Sequence, residues 1–323
     1  MPTRSGGTKS AVRDRSATRR GKPASAKWNL RRTGGLQILE APALAKLNWL
    51  VHGFSTRPGG VSELKSLRDG EEGYEKVLNL GLTDWDTREH VLDNRDKFFS
   101  AIGASKMRVV ALRQIHSDIV HKVDSTNGAD AAPQGDALIT REPGVLLVVQ
   151  TADCIPILLA DPKRRAIAAI HSGWRGTVRR IAAKALGRMQ MEFGTKPEDV
   201  IAALGPGIGQ SCYEVGTEVA AEFQAQFPNA RHWFESPFDS LANSDDDHNW
   251  LPWLTMKPPG HQPDPPRVQL DLIAANRSIL EASGIPARNI SSSSLCTACR
   301  TDLFFSFRKE HTTGRMIAAI GIR

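Results

Sequence analysis

The sequence predicts a mixed α/β (α+β) domain, a single layered structure in which a mixed β-sheet is flanked by helices. Three observations carry this. Short apolar, β-branched runs at 145–149, 155–161 and 166–171 have the length and composition of buried strands. Between such runs lie helical stripes, as at 87–102, so strands and helices are mixed throughout. No segment repeats at a fixed period, and 323 residues, 40% of them hydrophobic, suit one large domain.

Charge divides the chain. Residues 1–32 hold ten Lys/Arg and one acid, Asp14, a net +9; the whole chain carries +7, so the remainder is near −2. The basic segment has few apolar residues and no periodicity, which predicts a disordered tail over residues 1–35 and a folded domain over 36–323. A solvated tail is the expectation; nucleic-acid contact is not. No run of roughly eighteen apolar residues is present, which argues against a membrane span. Four cysteines and no secretory leader favour a reducing, cytoplasmic location.

Order is expected from Leu36. Residues 47–54 (LNWLVHGF) read as a strand, closed by the 55–60 loop STRPGG, whose Gly59 and Gly60 offer backbone N–H groups to an anion or make an ordinary turn. Residues 62–76 are charged and read as a surface excursion. Residues 87–102 form an amphipathic helix with Val91, Arg95, Phe98, Phe99 and Ile102 on one stripe, stopped by Gly103. The next strand, 107–116, ends on His116, a position that serves a structural role or a site. Residues 136–140 (DALIT) lead into the central hairpin.

That hairpin organises the chain. Asp161-Pro162-Lys163-Arg164 is a turn sequence. Centred on Pro162-Lys163, it sets Cys154 opposite His171 on one face with Cβ atoms ~5 Å apart, close enough to share one metal ion. Small residues at 172–176 (SGWRG) then open a helix over 177–193 and leave N–H groups and a positive dipole end facing the site. A strand (200–204), a pocket-lining loop (205–209) and a helix (217–227) follow. Residues 236–266, rich in Pro and Asp, read as a long insertion. A helix (270–283), a lone Cys296-Thr297-Ala298-Cys299 read as structural, and strands at 304–308 and 316–322 complete the chain.

Several stretches together resemble one family: HGFSTRPGGVS (52–62), LNLG (78–81), NR (94–95), RQIHSD (113–118), DALIT (136–140), TADCIPILLADP (151–162), AAIHSGWRG (168–176), LGPGIGQSCYEV (204–215), DL (271–272), CT (296–297) and FFSFR with TGR (304–315). They resemble the laccase-domain, or YfiH, family, first described as multicopper polyphenol oxidases and later as purine nucleoside phosphorylases. The resemblance implies a zinc ion held by His116, Cys154 and His171, with copper as the alternative metal. Three ligands leave one coordination position open, the catalytic pattern. It also implies phosphorolysis of adenosine, inosine, guanosine and methylthioadenosine, with adenosine deamination. Zinc supports the latter by lowering the pKa of water towards ~7.

For these activities Asp153 is the candidate acid/base, or else a cap for the turn. Phosphate would be held by Arg57 with Gly59 and Gly60, or by Arg175 with Gly173 and its neighbours. Rival readings are a copper-dependent polyphenol oxidase, a Cys154–His171 amide hydrolase, and a binding module using zinc as structural glue. Nine histidines without a His-x-His pair argue against a multicopper centre. Nucleosides and phosphate are the expected partners, on a monomer or a homodimer. The 63–77 stretch and the 236–266 insertion depart from the family pattern around the expected pocket mouth.

Overall fold

The structure, a computed structural model, describes residues 28–68, 71–124, 132–235 and 267–323. Most of the expected basic tail and the whole 236–266 insertion lie outside these residues.

The single sheet expected from sequence is corrected to two six-stranded mixed sheets, with two smaller sheets beside them. Strands and helices are numbered in chain order. The first large sheet runs β1 (Asn29–Thr33), β2 (Leu36–Glu40), β3 (Leu50–Ser55), β17 (Met316–Ile322), β9 (Val145–Thr151), β6 (Arg108–Ala111). The second runs β16 (Ile290–Ser292), β12 (Ile201–Leu204), β10 (Ile155–Asp161), β11 (Ala166–Ser172), β8 (Ala137–Thr140), β7 (Val120–Lys122). Each is antiparallel in its interior, with a parallel pair at one edge of the first (β6 with β9) and at both edges of the second (β12 with β16, β7 with β8).

Side-chain alternation explains the layering. Leu147 and Val149 of β9 pack with Leu158 and Ala160 of β10 in one core between the sheets. Their neighbours Leu146 and Val148 face the other way, onto Phe98 and Phe99 of helix α1 (Arg88–Ala101). Ile157 and Leu159 turn outward to α3 (Ile181–Phe193) and α5 (Leu272–Ala282). The order is helix, sheet, sheet, helix. Strands buried on both faces need continuous apolar runs rather than alternation, so the sequence disclosed the central strands but not that there were two layers of them. Each side chain fully buried here is worth ~1.5–3 kcal/mol.

Other boundaries also move. Order begins a strand earlier than expected. Gly34 and Gly35, at φ 56° and 78°, turn β1 back onto β2, and Arg31 pairs with Glu40 at 2.8 Å. Two positive φ values in a two-residue loop are the hairpin turn glycines favour; the basic composition concealed it. In the stretch expected as a surface excursion, β4 (Pro58–Arg68) and β5 (Glu71–Val77) pair antiparallel. The expected 177–193 helix is broken into α2 (Trp174–Val178) and α3 by Arg180 at φ 59°. The expected 304–308 strand is instead a buried turn entering the short helix α6 (Phe307–Glu310), capped by Ser306, which accepts from the Lys309 N–H. Helix α4 (Thr217–Gln226) stands beside a small sheet of β13 (Glu214–Gly216), β15 (Arg267–Leu270) and β14 (Phe234–Glu235). Among the described residues no helix is long and apolar enough to cross a membrane.

Candidate active site and metal centre

The chain crosses from the first sheet to the second between the end of β9 and the start of β10, at Ala152-Asp153-Cys154. Asp153 takes φ 92°, which turns the strand sharply and aims Cys154 into a cleft at the sheet ends. The hairpin register differs from the expected one. Pro156 is opposite His171 and Asp161 opposite Ala166, so the turn is a four-residue loop, 162–165. Pro-Lys cannot supply the positive φ that a two-residue hairpin needs. Arg165 supplies it at φ 49°, while Asp161 Oδ1 accepts from the N–H groups of Lys163 and Arg164. Cys154 and His171 are therefore diagonal neighbours on one face, normally ~7–8 Å apart. The turn at Asp153 closes that gap.

His116 comes from the loop after β6, not from the strand, and sits at φ 56°. One donor atom from each of His116, Cys154 and His171 lies within 4.8 Å of the other two. Tetrahedral bonds of ~2.0–2.3 Å place zinc donors ~3.3–3.8 Å apart, so slight closure completes a site. A Cβ on Gly173 would lie 2.9 Å from both Cys154 Sγ and His116 Nδ1, so only glycine leaves this space open. Behind Gly173, its carbonyl accepts from Thr177 Oγ1 at 2.9 Å, and Asn276 of α5 donates to that same hydroxyl. The donor set and the space around it fit a soft divalent metal.

Asp136, not singled out from sequence, organises the centre. Its Oδ1 lies 2.8 Å from His171 Nδ1, which leaves Nε2 to face the other donors. Its two oxygens also accept from the backbone N–H groups of Ile115, His116 and Ser117 and from the Ser117 hydroxyl. One buried carboxylate thus orients one imidazole and fixes the strained loop carrying the other, the outer-shell arrangement typical of metal-binding histidines. Burial opposes the charged carboxylate. The hydrogen bonds from His171 and Ser117 outweigh it and hold the pKa at about 2.

The thiol and imidazole are coupled. Burial disfavours the Cys154 thiolate, but the facing His171 charge and hydrogen bonds from both histidines bring its pKa down to about 6. Burial likewise disfavours the His171 cation, and the Cys154 charge with the Asp136 hydrogen bond raises it to about 9. Metal-free protein should therefore hold a thiolate–imidazolium pair near neutrality. Iodoacetamide labelling of Cys154, followed by peptide mass spectrometry, should rise with a midpoint near pH 6 and level off by pH 7. A midpoint at an ordinary thiol value, ~8.5, would show that the pair does not form.

The cleft holds about 570 Å³, within the ~300–1,000 Å³ typical of small-molecule sites. Besides the three donors it is lined by Gln114, Asp153, Tyr213, Phe307, Arg308 and Arg315. Asp153 is brought to the site with both oxygens engaged. Oδ1 accepts from Thr297 Oγ1 at 2.6 Å and Oδ2 from the Arg308 N–H at 2.7 Å. Burial, with the Cys154 charge, pushes the Tyr213 phenol above its usual range and keeps it a neutral donor. The Arg315 guanidinium donates to the Gly314 carbonyl at 3.0 Å and stands over the Phe307 ring.

Four expected anion-binding residues are elsewhere. Arg57 is buried between Glu310 and Glu75 and donates to the Thr301 carbonyl. Gly59 and Gly60 pack where a Cβ would strike the Gly35 and Val77 carbonyls, so close backbone packing explains these glycines. Arg175 is exposed, its guanidinium over the Trp174 ring. It is not among the cleft-lining residues.

A family model described as multi-copper polyphenol oxidoreductase laccase matches residues 51–323. A purine nucleoside phosphorylase of Deinococcus radiodurans is 36% identical over 291 residues, 89% of this chain and 94% of that protein. An adenosine deaminase from an unknown prokaryotic organism is 35% identical over 265 residues, 79% of this chain and 91% of its own length. The crystal structure of YlmD from Geobacillus stearothermophilus superposes with a TM-score of 0.72 at 30% identity, covering 91% of this chain and 98% of that one.

Proposed function

The chain belongs to the multi-copper polyphenol oxidoreductase laccase family, and from that premise we propose that it is a purine nucleoside phosphorylase dependent on zinc. The observation that carries this reading is the convergence of His116, Cys154 and His171 on a nucleoside-sized cleft that also contains Arg308 and Arg315. One thiolate and two imidazoles suit zinc or copper. Zinc is preferred because group transfer involves no redox change and can use a Lewis acid. Bound there, it would supply that acidity and lower the pKa of water at its open position.

The chain's own residues would do the rest. In phosphorolysis an oxygen of phosphate bonds to C1′ of the ribose as the C1′–N9 bond breaks, and the electron pair leaves with the purine. Arg315, in the cleft on the way into β17, would hold the phosphate dianion through charge-assisted hydrogen bonds. Neutral Tyr213 would donate a hydrogen bond to the base as its charge develops. Asp153, with its oxygens already engaged, would act as a positioning residue that locks the Cys154 turn to Arg308. Arg175 and the N–H groups following Gly173 remain the second candidate for the anion.

A panel of adenosine, inosine, guanosine and methylthioadenosine, with and without phosphate, tests the reading. Free base and a ribose 1-phosphate should appear only when phosphate is present. Inosine formed from adenosine without phosphate would make deamination the main activity, in line with the name of one relative. Arg315→Ala should raise KM for phosphate by ~10–100-fold, the range for a charged hydrogen bond of ~1.5–3 kcal/mol. An unchanged KM would move the phosphate to Arg175.

A further inference from the structure

The cysteine pair at 296 and 299 is joined in space by Cys212, from a part of the chain 87 residues distant. The three sulfurs lie within 4.8 Å of one another, with Cys212 and Cys299 at 3.3 Å. We propose that Cys212, Cys296 and Cys299 form a second metal site, a three-thiolate cradle for a soft d10 cation, Zn2+ or Cu+, separate from the His116–Cys154–His171 centre.

Local structure supports a cradle rather than a chance cluster. The turn after β16 presents Cys296 beside the 205–209 loop, where Gly207 and Cys296 form a parallel bridge and the Thr297 N–H donates to the Gly207 carbonyl. The Gly209 N–H donates to Cys296 Sγ at 3.1 Å. A Cβ on Gly209 would come within 3.3 Å of that sulfur, a tight contact, so glycine eases this approach. Backbone N–H groups aimed at a sulfur stabilise its thiolate form, the form a metal needs. Bonds of ~2.3 Å at a tetrahedral angle separate thiolates by ~3.8 Å, a little above the 3.3 Å between Cys212 and Cys299 and inside the 4.8 Å that bounds all three. Cys299 is exposed and the other two are partly buried, so an ion can enter and the fourth position faces solvent.

A disulfide between Cys212 and Cys299 would use only two of the sulfurs and leave the hydrogen-bonded Cys296 without a role. A bound cation uses all three. It would staple the segment leading to Tyr213 to the turn carrying Thr297, whose hydroxyl holds Asp153 in the cleft. Uptake of the ion releases up to three thiol protons and oxidises nothing.

Cobalt(II) added to reduced, metal-free, full-length protein without oxygen reads this directly, because thiolate-to-cobalt charge-transfer bands report sulfur ligands. Wild type should take up two equivalents. Cys299→Ser should take up one, with a one-thiolate spectrum. Cys154→Ala should also take up one, with about three times the charge-transfer intensity because three thiolates bind instead of one. Zinc(II) or copper(I), added separately, should each bleach the bands. A single equivalent in wild type with a one-thiolate spectrum would overturn the proposal, as would equal uptake by wild type and Cys299→Ser. So would a Cys212–Cys299 disulfide that, once reduced, leaves a protein taking up no second ion. Because Cys299 is exposed, this comparison stands even if Cys154→Ala fails to fold.

Discussion

Cys154→Ala is expected to remove the metal from the His116–Cys154–His171 centre and lower kcat/KM for nucleoside phosphorolysis by ~10³-fold or more. The magnitude follows from the several kcal/mol of transition-state stabilisation a Lewis acid provides, each ~1.4 kcal/mol being tenfold in rate. Two imidazoles held by one peptide segment and one strand make a poor site alone, because the thiolate is the donor that brings negative charge to the cation. The fold should survive. Cys154 lies at the sheet ends, outside the apolar clusters, and His171 keeps its hydrogen bond to Asp136. With the thiolate gone, the largest influence raising the His171 pKa also goes, and the imidazole should titrate well below about 9. Metal analysis, initial rates and a thermal melt test all three statements. A variant that keeps both the ion and the rate would remove Cys154 from the mechanism.

Asp136→Asn is expected to weaken metal binding by ~10–100-fold, the usual cost of losing an outer-shell partner of a ligating histidine. It should also destabilise the metal-free fold by ~3–5 kcal/mol, the range for breaking a buried charged pair from one side. An amide has one acceptor oxygen, whereas Asp136 accepts at both from three backbone N–H groups, a hydroxyl and His171. The lost bonds free the His116 loop, so two ligands suffer from one substitution. The pH dependence has a definite sign. Asp136 has its pKa depressed from the ordinary 3.8 to about 2, so its stabilisation is present above that unfolded value and lost as pH falls through the folded one. The stability gap between wild type and Asp136→Asn should be full at neutral pH and close towards pH 2. Denaturant unfolding at several pH values measures it. A gap independent of pH would mean the carboxylate's charge is not what holds the loop.

The site was legible in sequence to the extent that its residues carry unusual chemistry. A cysteine and a histidine bracketing an apolar hairpin stand out because pairing across it brings them close enough to share one ion, whereas the second histidine, after a strand, was marked as a ligand only by resemblance to the family. Asp136 was quoted within DALIT without a role. Its signal was a carboxylate directly before four buried strand residues, a place where a charge must have partners. Tyr213, Arg308 and Arg315 each lay inside a quoted motif, yet nothing local distinguishes a cleft arginine from a paired one such as Arg57. The lone Cys-x-x-Cys looked structural because its third sulfur comes from 87 residues earlier.

Amino-acid order alone determined where the central strands and most of the long helices would form, that the chain mixes them, and that the cysteine and histidine bracketing one hairpin were the chemistry to follow. Apolar runs and unusual side chains are local properties, so they can be read one segment at a time. Only the tertiary structure decided that the strands divide into two facing sheets, that the hairpin turns on four residues rather than two, and that Asp136 stands behind His171 and Arg315 lines the cleft while Arg57 does not. Those outcomes depend on which distant surfaces exclude water together and which buried charges find partners, and both are properties of the whole chain.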